Sequence, residues 1–343
     1  MWYVLFAILL FGILIIVHEL GHFLTARLFH VTIREFSIGM GPKLVWGQSK
    51  KSGTLYALRA LPIGGYVSML GEDEASDDEG SFSGKPVWQR FLITAAGSLS
   101  NLLLGFLIMA FLVFSMEHIY SPTVTSFGAK ATSNAEGGLE VGDTLIRVGP
   151  RRVHTANDMI YAIGRYGTEP VDLIVLRNGE KMKLEDVVFP TYTEQGIAFG
   201  DRDFNVRETD RNVFTLLRHT WYQSTMTVRM VYDSLGDLLT GKYGIKEVSG
   251  PVGVTQVITE TAKSKDFDNL LYLFVVLAIN LGIMNLLPFP ALDGGRLVFQ
   301  LWEWITRKPV KPEIEGYIHF AGILILLAFM AIISVKDIIY LFR

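Results

Sequence analysis

His18, Glu19 and His22 stand in the order His-Glu-Leu-Gly-His near the end of an apolar run that opens the chain. On a helix, residues four apart share a face. Two imidazoles so placed can chelate one Zn²⁺, while the intervening carboxylate reaches a metal-bound water. The chemistry such a trio could perform is hydrolysis by activated water, with Glu19 as the proton acceptor. Ionisable groups in a membrane helix are costly and normally sit there for a function. The bland alternative, two histidines marking a helix end at the membrane surface, is the weaker one.

Zinc needs a third protein ligand and an open position for water. Leu28 stands six residues after His22, so the extended metzincin spacing is absent. Glu35 is one possible helper, but it follows a turn and is expected to face the cytoplasm. Asp293, in MNLLPFPALDGGR, is the better candidate. Pro288 and Pro290 break the preceding helix there, and Gly294 and Gly295 allow tight turns. Unwound backbone at membrane depth is tolerated only where it lines a protein cavity. A lone Asp before Gly-Gly is usually a turn residue; its depth argues for more.

The elements that must carry these groups are apolar blocks. Half of the 343 residues are hydrophobic, only 19% are charged, and the mean hydropathy is +0.34. The chain starts with 17 uncharged residues and continues apolar past His22. It has no basic leader and no small-residue cleavage site, so the run reads as a retained transmembrane helix rather than a signal peptide. Further spans are expected over about 91–116, 270–292 and 317–335, each near the ~20 residues that cross ~30 Å of hydrocarbon. Small residues near the start of the second span favour close helix approach. At 1.5 Å per residue, His18–His22 and Asp293 both lie roughly 25–30 Å down their spans, deep enough to meet.

Basic residues concentrate in the loops between spans one and two and between spans three and four, which places both loops in the cytoplasm. The N-terminus and the 117–269 segment then lie outside; Lys336 and Arg343 disagree mildly. In the outer segment, β-type runs (TLIRVG, VDLIVLRNG, KMKLEDVVF) flank one helical stretch, NDMIYAIGRYG. The phrase GGLEVGDTLIRVGPRRV followed by that helix resembles a PDZ domain, which binds extended peptides at a sheet edge. Residues 211–240 have loosely helical apolar spacing. They suit a membrane-surface helix or packing against the PDZ-like domain. Within the inner loop, 36–70 suggests a β-hairpin, and EDEASDDE at 72–79 reads as solvated loop.

With no cysteine, disulfides, thiolate nucleophiles and Cys-held metals are excluded, so any metal rests on His, Asp or Glu. A formal charge of −3 argues against nucleic acid as a partner. The expected fold is an α-helical polytopic membrane protein with four transmembrane helices, a cytoplasmic-side β-hairpin and an inserted α+β PDZ-like domain. Its segments are 1–116 (spans one and two with the hairpin loop), 117–192 (PDZ-like domain), 193–269 (linker with an amphipathic helix) and 270–343 (spans three and four).

HELGH, the PDZ-like insertion, GPVGV at 250–254 and NLLPFPALDGG at 285–295 together resemble the site-two protease family of intramembrane zinc metalloproteases. The likeness is closest to its bacterial regulated-intramembrane-proteolysis branch with one PDZ domain, and it spans essentially the whole chain. It implies His18, His22 and Asp293 as zinc ligands, Glu19 as catalytic base and Asn285 as a substrate-holding residue. It also implies a membrane-re-entrant hairpin that takes an unwound substrate as an added strand, here around Gly64, Gly65 and Tyr66. The implied substrates are transmembrane helices in a lipid bilayer, such as anti-sigma factors or signal-peptide remnants. The outer domain would act as a size filter or peptide sensor, admitting substrates already shortened by a site-one protease. The implied location is the bacterial cell membrane. One departure is AAGSLSN at 95–101, where Ser98 replaces a usual proline; it is expected to alter packing and to remove no chemical group from the site. Two other classes remain. A non-catalytic PDZ scaffold has no need of HELGH, and a zinc transporter would spread ionisable groups along its spans.

Overall fold

The computed structural model describes residues 2–341 except 73–75, 77, 195, 243 and 245–247. The chain forms two compact units, Met1–Ile108 with Val228–Arg343, and Met109–Thr227. The first unit begins with α1 (Trp2–Leu28), which exposes Leu5, Leu9, Ile13 and Leu24 on its outer side. A helix with apolar residues both inside and outside has lipid, not water, as its surroundings.

A hairpin of β1 (Ile33–Gln48) and β2 (Leu55–Met69) follows. It is bent rather than flat: Gly39, Gly41 and Gly64 have φ of +86°, +85° and +82°, a region closed to most side chains. The bend lets residues 35–38 border 65–68 on one side and 55–58 on the other. Residues 65–69 therefore form an edge, paired only with β1. Phe23 and Ala26 of α1 pack with Ile33, Val67 and Met69 of the hairpin and with Ile93 of α2 (Val87–Ser115).

Helix α2 runs into the second unit, which carries a sheet of β3 (Ile119–Phe127), β4 (Thr144–Val148), β5 (Arg151–Arg152), β6 (Val171–Arg177), β7 (Glu180–Val187) and β10 (Phe204–Thr209). The order is β10-β3-β4-β6-β7, with β5 paired to β4 and every pairing antiparallel. A separate hairpin joins β8 (Thr191–Glu194) and β9 (Ile197–Gly200). The α3 helix (Ala156–Tyr166) closes the core, burying Met159 and Ile163 against Leu145, Leu173 and Val175. Thr155 caps it by accepting from Asp158 N–H. Asn178 and Gly179, both with positive φ, make the tight β6–β7 turn.

Within this unit the Arg177 guanidinium grips the fully buried Asp143 carboxylate twice, at 2.8 and 2.7 Å. Breaking such a pair leaves an uncompensated buried charge. Arg177→Met is expected to destabilise the unit by about 3 kcal/mol. Thermal unfolding of the full chain in detergent checks this, and an unchanged midpoint contradicts it.

Residues 211–240 contain one long helix, α4 (Val213–Leu239). Its buried positions include His219, Thr220, Gln223 and Ser224, while Val213, Phe214, Leu217 and Trp221 are exposed. Leu216, Met226 and Val231 are buried beside them, so the inward face mixes polar and apolar side chains.

The first unit, which resumes at Val228 within α4, continues with α5 (Pro251–Lys263), α6 (Phe267–Leu286), α7 (Asp293–Thr306) and α8 (Pro312–Leu341). The α5 helix explains GPVGV: Asp337 of α8 accepts from Gly250 N–H and Gly253 N–H, both at 2.9 Å, and so caps α5 from another helix. Ile258 of α5 and Ala278 of α6 pack on Ala7, Leu10 and Leu14 of α1. Among the described residues, four helices, α1, α2, α6 and α8, contain stretches long and apolar enough to cross a membrane.

Two details differ from expectation. The third apolar helix stops at Leu286, not near 292, because Leu287 precedes proline and is extended (ψ 143°). A short helix, α7, then starts at Asp293 itself. Gly294 and Gly295 consequently lie in its first turn. Their lack of a Cβ allows close approach to the backbone of 286–290 rather than a positive φ; that role falls to Ala291, at φ +83°.

Candidate metal centre

Helix α1 puts His18 and His22 one turn apart with their rings edge to face, centroids 4.9 Å apart. Their Nε2 atoms are 3.3 Å from each other. Asp293 Oδ2, at the start of α7, lies 3.3 Å from His18 Nε2 and 3.4 Å from His22 Nε2. These are the only described residues whose His, Asp or Glu ligand atoms form such a group of three. The triangle has a physical reading. Zinc–ligand distances of about 2.0–2.1 Å in a tetrahedral site put ligand atoms roughly 3.3–3.4 Å apart, which matches all three edges. The donor set, two imidazoles and one carboxylate, also suits zinc and leaves one corner open.

Neighbouring groups fix each donor. His22 Nδ1 donates to the Ile93 carbonyl at 2.8 Å, leaving the Nε2 lone pair toward Asp293. Gly97 faces His22, and any Cβ there would overlap His22 Nε2. Gly21, the glycine inside HELGH, lies against the Ala96 carbonyl and the Ser100 hydroxyl, again with no room for a side chain. On the other side, Ala291 N–H donates to His319 Nδ1 of α8 at 3.1 Å. Gly322 lies directly on Pro290. Two buried or half-buried ties, Gln300 to Thr94 (2.9 Å) and Arg90 to Glu303 (2.6 Å), hold α7 against α2. The Asp293 carboxylate is thus aimed by three helices.

Glu19 lines the same cavity, about 290 Å³, with His18, His22, Asp293, Tyr66, Val67, Met69 and Thr94 among its walls. Gly65 of the hairpin edge comes close enough that a Cβ there would sit 3.1 Å from Glu19 Cγ. Gly64 packs on Met40, and Tyr66 reaches Arg59 at 2.5 Å. Asn285 lies on the last turn of α6 and is not part of the cavity wall. Glu35 stays in the hairpin, bound by Arg59 at 2.7 Å and Lys43 at 3.1 Å. Burial raises its pKa, but hydrogen bonds from Ser37, Arg59, Tyr66 and Lys43 outweigh that and hold it down to about 2.

Several site residues escaped the sequence reading. Glu72, which in sequence reads as part of a solvated acid run, lines the cavity and pairs with Arg296 of α7; residues 73–75 and 77 of that run lie outside the described ones. Ser98 is fully buried and its hydroxyl donates to Asp293 Oδ2 at 3.3 Å, so it adds a group to the site. A signal was present: Thr94, Ser98 and Asn101 recur at helical spacing on one face of an otherwise apolar span.

A His-Glu-x-x-His helix joined by a distant Asp, set among membrane-crossing helices, defines a membrane metallopeptidase. Comparison with known proteins gives the same class. Residues 6–329 match peptidase family M50, and the chain belongs to that family. It is 36% identical over 340 residues to a Clostridium acetobutylicum protein named as a candidate zinc metalloprotease, covering 98% of this chain and 97% of that one. It is 29% identical over 421 residues to zinc metalloprotease RasP of Bacillus licheniformis, with 98% of each covered. It is 27% identical over 419 residues to the regulator of sigma-W protease RasP of Bacillus subtilis, again with 98% of each covered. The protein is a zinc metalloprotease, and four helices among its described residues are long and apolar enough to cross a membrane.

Proposed function

We propose that the protein is an intramembrane endopeptidase in which His18, His22 and Asp293 hold the zinc and Glu19 is the general base. The observation that carries this reading is the 3.3–3.4 Å triangle of donor atoms between a membrane helix and a distant turn. Zinc held by these residues would supply Lewis acidity for activating water and polarising a peptide carbonyl. Glu19 accepts the water proton and passes it to the departing amine. Its place beside Gly65 puts that proton transfer next to the hairpin edge.

A substrate helix hides its carbonyls in i→i−4 hydrogen bonds and must unwind to be cut. Residues 65–69 offer an edge with one side unpaired, so an extended substrate segment can add to it as a strand. Gly64, Gly65 and Tyr66 belong to that edge, and Asn285 is the remaining substrate contact in this reading. A second cavity of about 480 Å³ shares Glu72 and Arg296 with the first and carries Arg90, Glu303 and Lys311. These charged residues suit the supply of water to the site.

The basic loops put β1–β2 and α7 on the cytoplasmic side, with the N-terminus and the second unit outside. In this arrangement the second unit is a PDZ-like filter for substrates already trimmed by a first protease. The Bacillus subtilis relative named regulator of sigma-W protease favours membrane-anchored regulators of transcription, such as anti-sigma factors, as substrates, with signal-peptide remnants a further class. The test is a reconstituted single-span substrate whose products are mapped by mass spectrometry. The reading predicts a scissile bond within the apolar span; cutting confined to residues outside the bilayer would refute it.

A further inference from the structure

We propose that α2 orients all three zinc ligands, and that Asn101 and Ser98 are the positioning residues for His18 and Asp293. The proposal rests on the metal-centre reading above and extends it to side chains that touch neither metal nor substrate. Each ligand meets one group of α2: His22 the Ile93 carbonyl, Asp293 the Ser98 hydroxyl, His18 the Asn101 amide. Ser98 and Asn101 are both fully buried. Burying an amide and a hydroxyl in an apolar helix is unfavourable unless they are used.

Asn101 has a defined task. Its amide meets His18 Nδ1 at 3.3 Å. His18 can offer its Nε2 lone pair to a metal only when the ring proton sits on Nδ1, and that proton then needs an acceptor. With the amide nitrogen toward the ring, Asn101 Oδ1 is a buried acceptor with no partner. Turned over, Oδ1 accepts from Nδ1–H, and the tautomer is the one a metal requires. His22 achieves the same end through Ile93, using backbone instead of a side chain. Ser98 acts on the third ligand. Its donated hydrogen bond at 3.3 Å restrains the Asp293 carboxylate, whose Oδ2 faces both imidazoles.

Zinc affinity of the full-length protein in detergent, measured by chelator competition, tests this directly. Partners of this kind typically change metal affinity by about 10- to 100-fold. Asn101→Leu is expected to weaken zinc binding by that amount. Asn101→Asp keeps an acceptor for Nδ1–H and is expected to hold zinc within a few-fold of the parent. A structural role predicts the opposite order, because a buried unpaired carboxylate is worse than an apolar side chain. Ser98→Ala is expected to weaken binding about 10-fold, and Ser98→Thr to restore it. Cobalt(II) substituted into the site adds a spectroscopic signature, since Asn101→Leu should shift its visible bands and Asn101→Asp should not. Equal zinc affinity in the parent, Asn101→Leu and Ser98→Ala forms would overturn the proposal, as would equal losses in Asn101→Asp and Asn101→Leu. If Asn101→Leu does not fold, the Asn101→Asp form and the Ser98 pair decide the matter: loss in the Asp form, or parent-like binding in Ser98→Ala, overturns it. A parent protein that binds no zinc would overturn the metal-centre reading itself, a distinguishable result.

Discussion

Glu19→Gln is expected to lower cleavage by about 10²–10⁴-fold, the usual contribution of a positioned general base, while zinc stays bound. The substitution exchanges one carboxylate oxygen for an amide and keeps the side-chain volume. The close approach at Gly65, where a Cβ would lie 3.1 Å from Glu19 Cγ, is therefore retained. Neither His18, His22 nor Asp293 is disturbed, and their mutual distances of 3.3–3.4 Å do not depend on Glu19. What disappears is a group able to take a proton from water. Turnover of a membrane-embedded peptide and metal content of the same preparation check the two halves together. Unchanged turnover would remove Glu19 from the mechanism, and lost zinc would assign it to the metal instead.

Asp293→Ala should abolish both metal and activity. Without the carboxylate two neutral imidazoles remain, and the affinity is expected to fall by more than the ~100-fold seen for supporting groups. The cavity stays formed, because α7 is still tied to α2 through Gln300–Thr94 and Arg90–Glu303. The loss should therefore be local: zinc stoichiometry near zero with an intact helical spectrum. Retention of zinc and cleavage would place the third ligand elsewhere.

How much of this was legible in the sequence depends on the range of the interaction. HELGH is readable because one helix turn fixes its geometry, and the apolar blocks are readable because lipid demands them. Asp293 was reachable from Pro288, Pro290 and the depth argument, although the helix it begins was not; a proline-broken segment does not announce where helix resumes. Glu72 and Arg296 meet across 224 residues, so nothing local distinguishes Glu72 from the acids that follow it. Ser98 and Asn101 were hidden for a different reason. On a span of small and apolar residues, Ser and Asn read as packing aids, and only their spacing with Thr94 marks a used face. Gly294 and Gly295 show the limit of residue-type rules: both expect a turn, yet here both serve close packing.

The central claim is that one metal ion joins α1 to the start of α7. Anomalous diffraction at the zinc edge from crystals of the Glu19→Gln protein tests it most directly. The account predicts one strong peak about 2.0–2.1 Å from His18 Nε2, His22 Nε2 and an Asp293 carboxylate oxygen. A peak bound to the two histidines but remote from Asp293, or seated elsewhere in the chain, would contradict it.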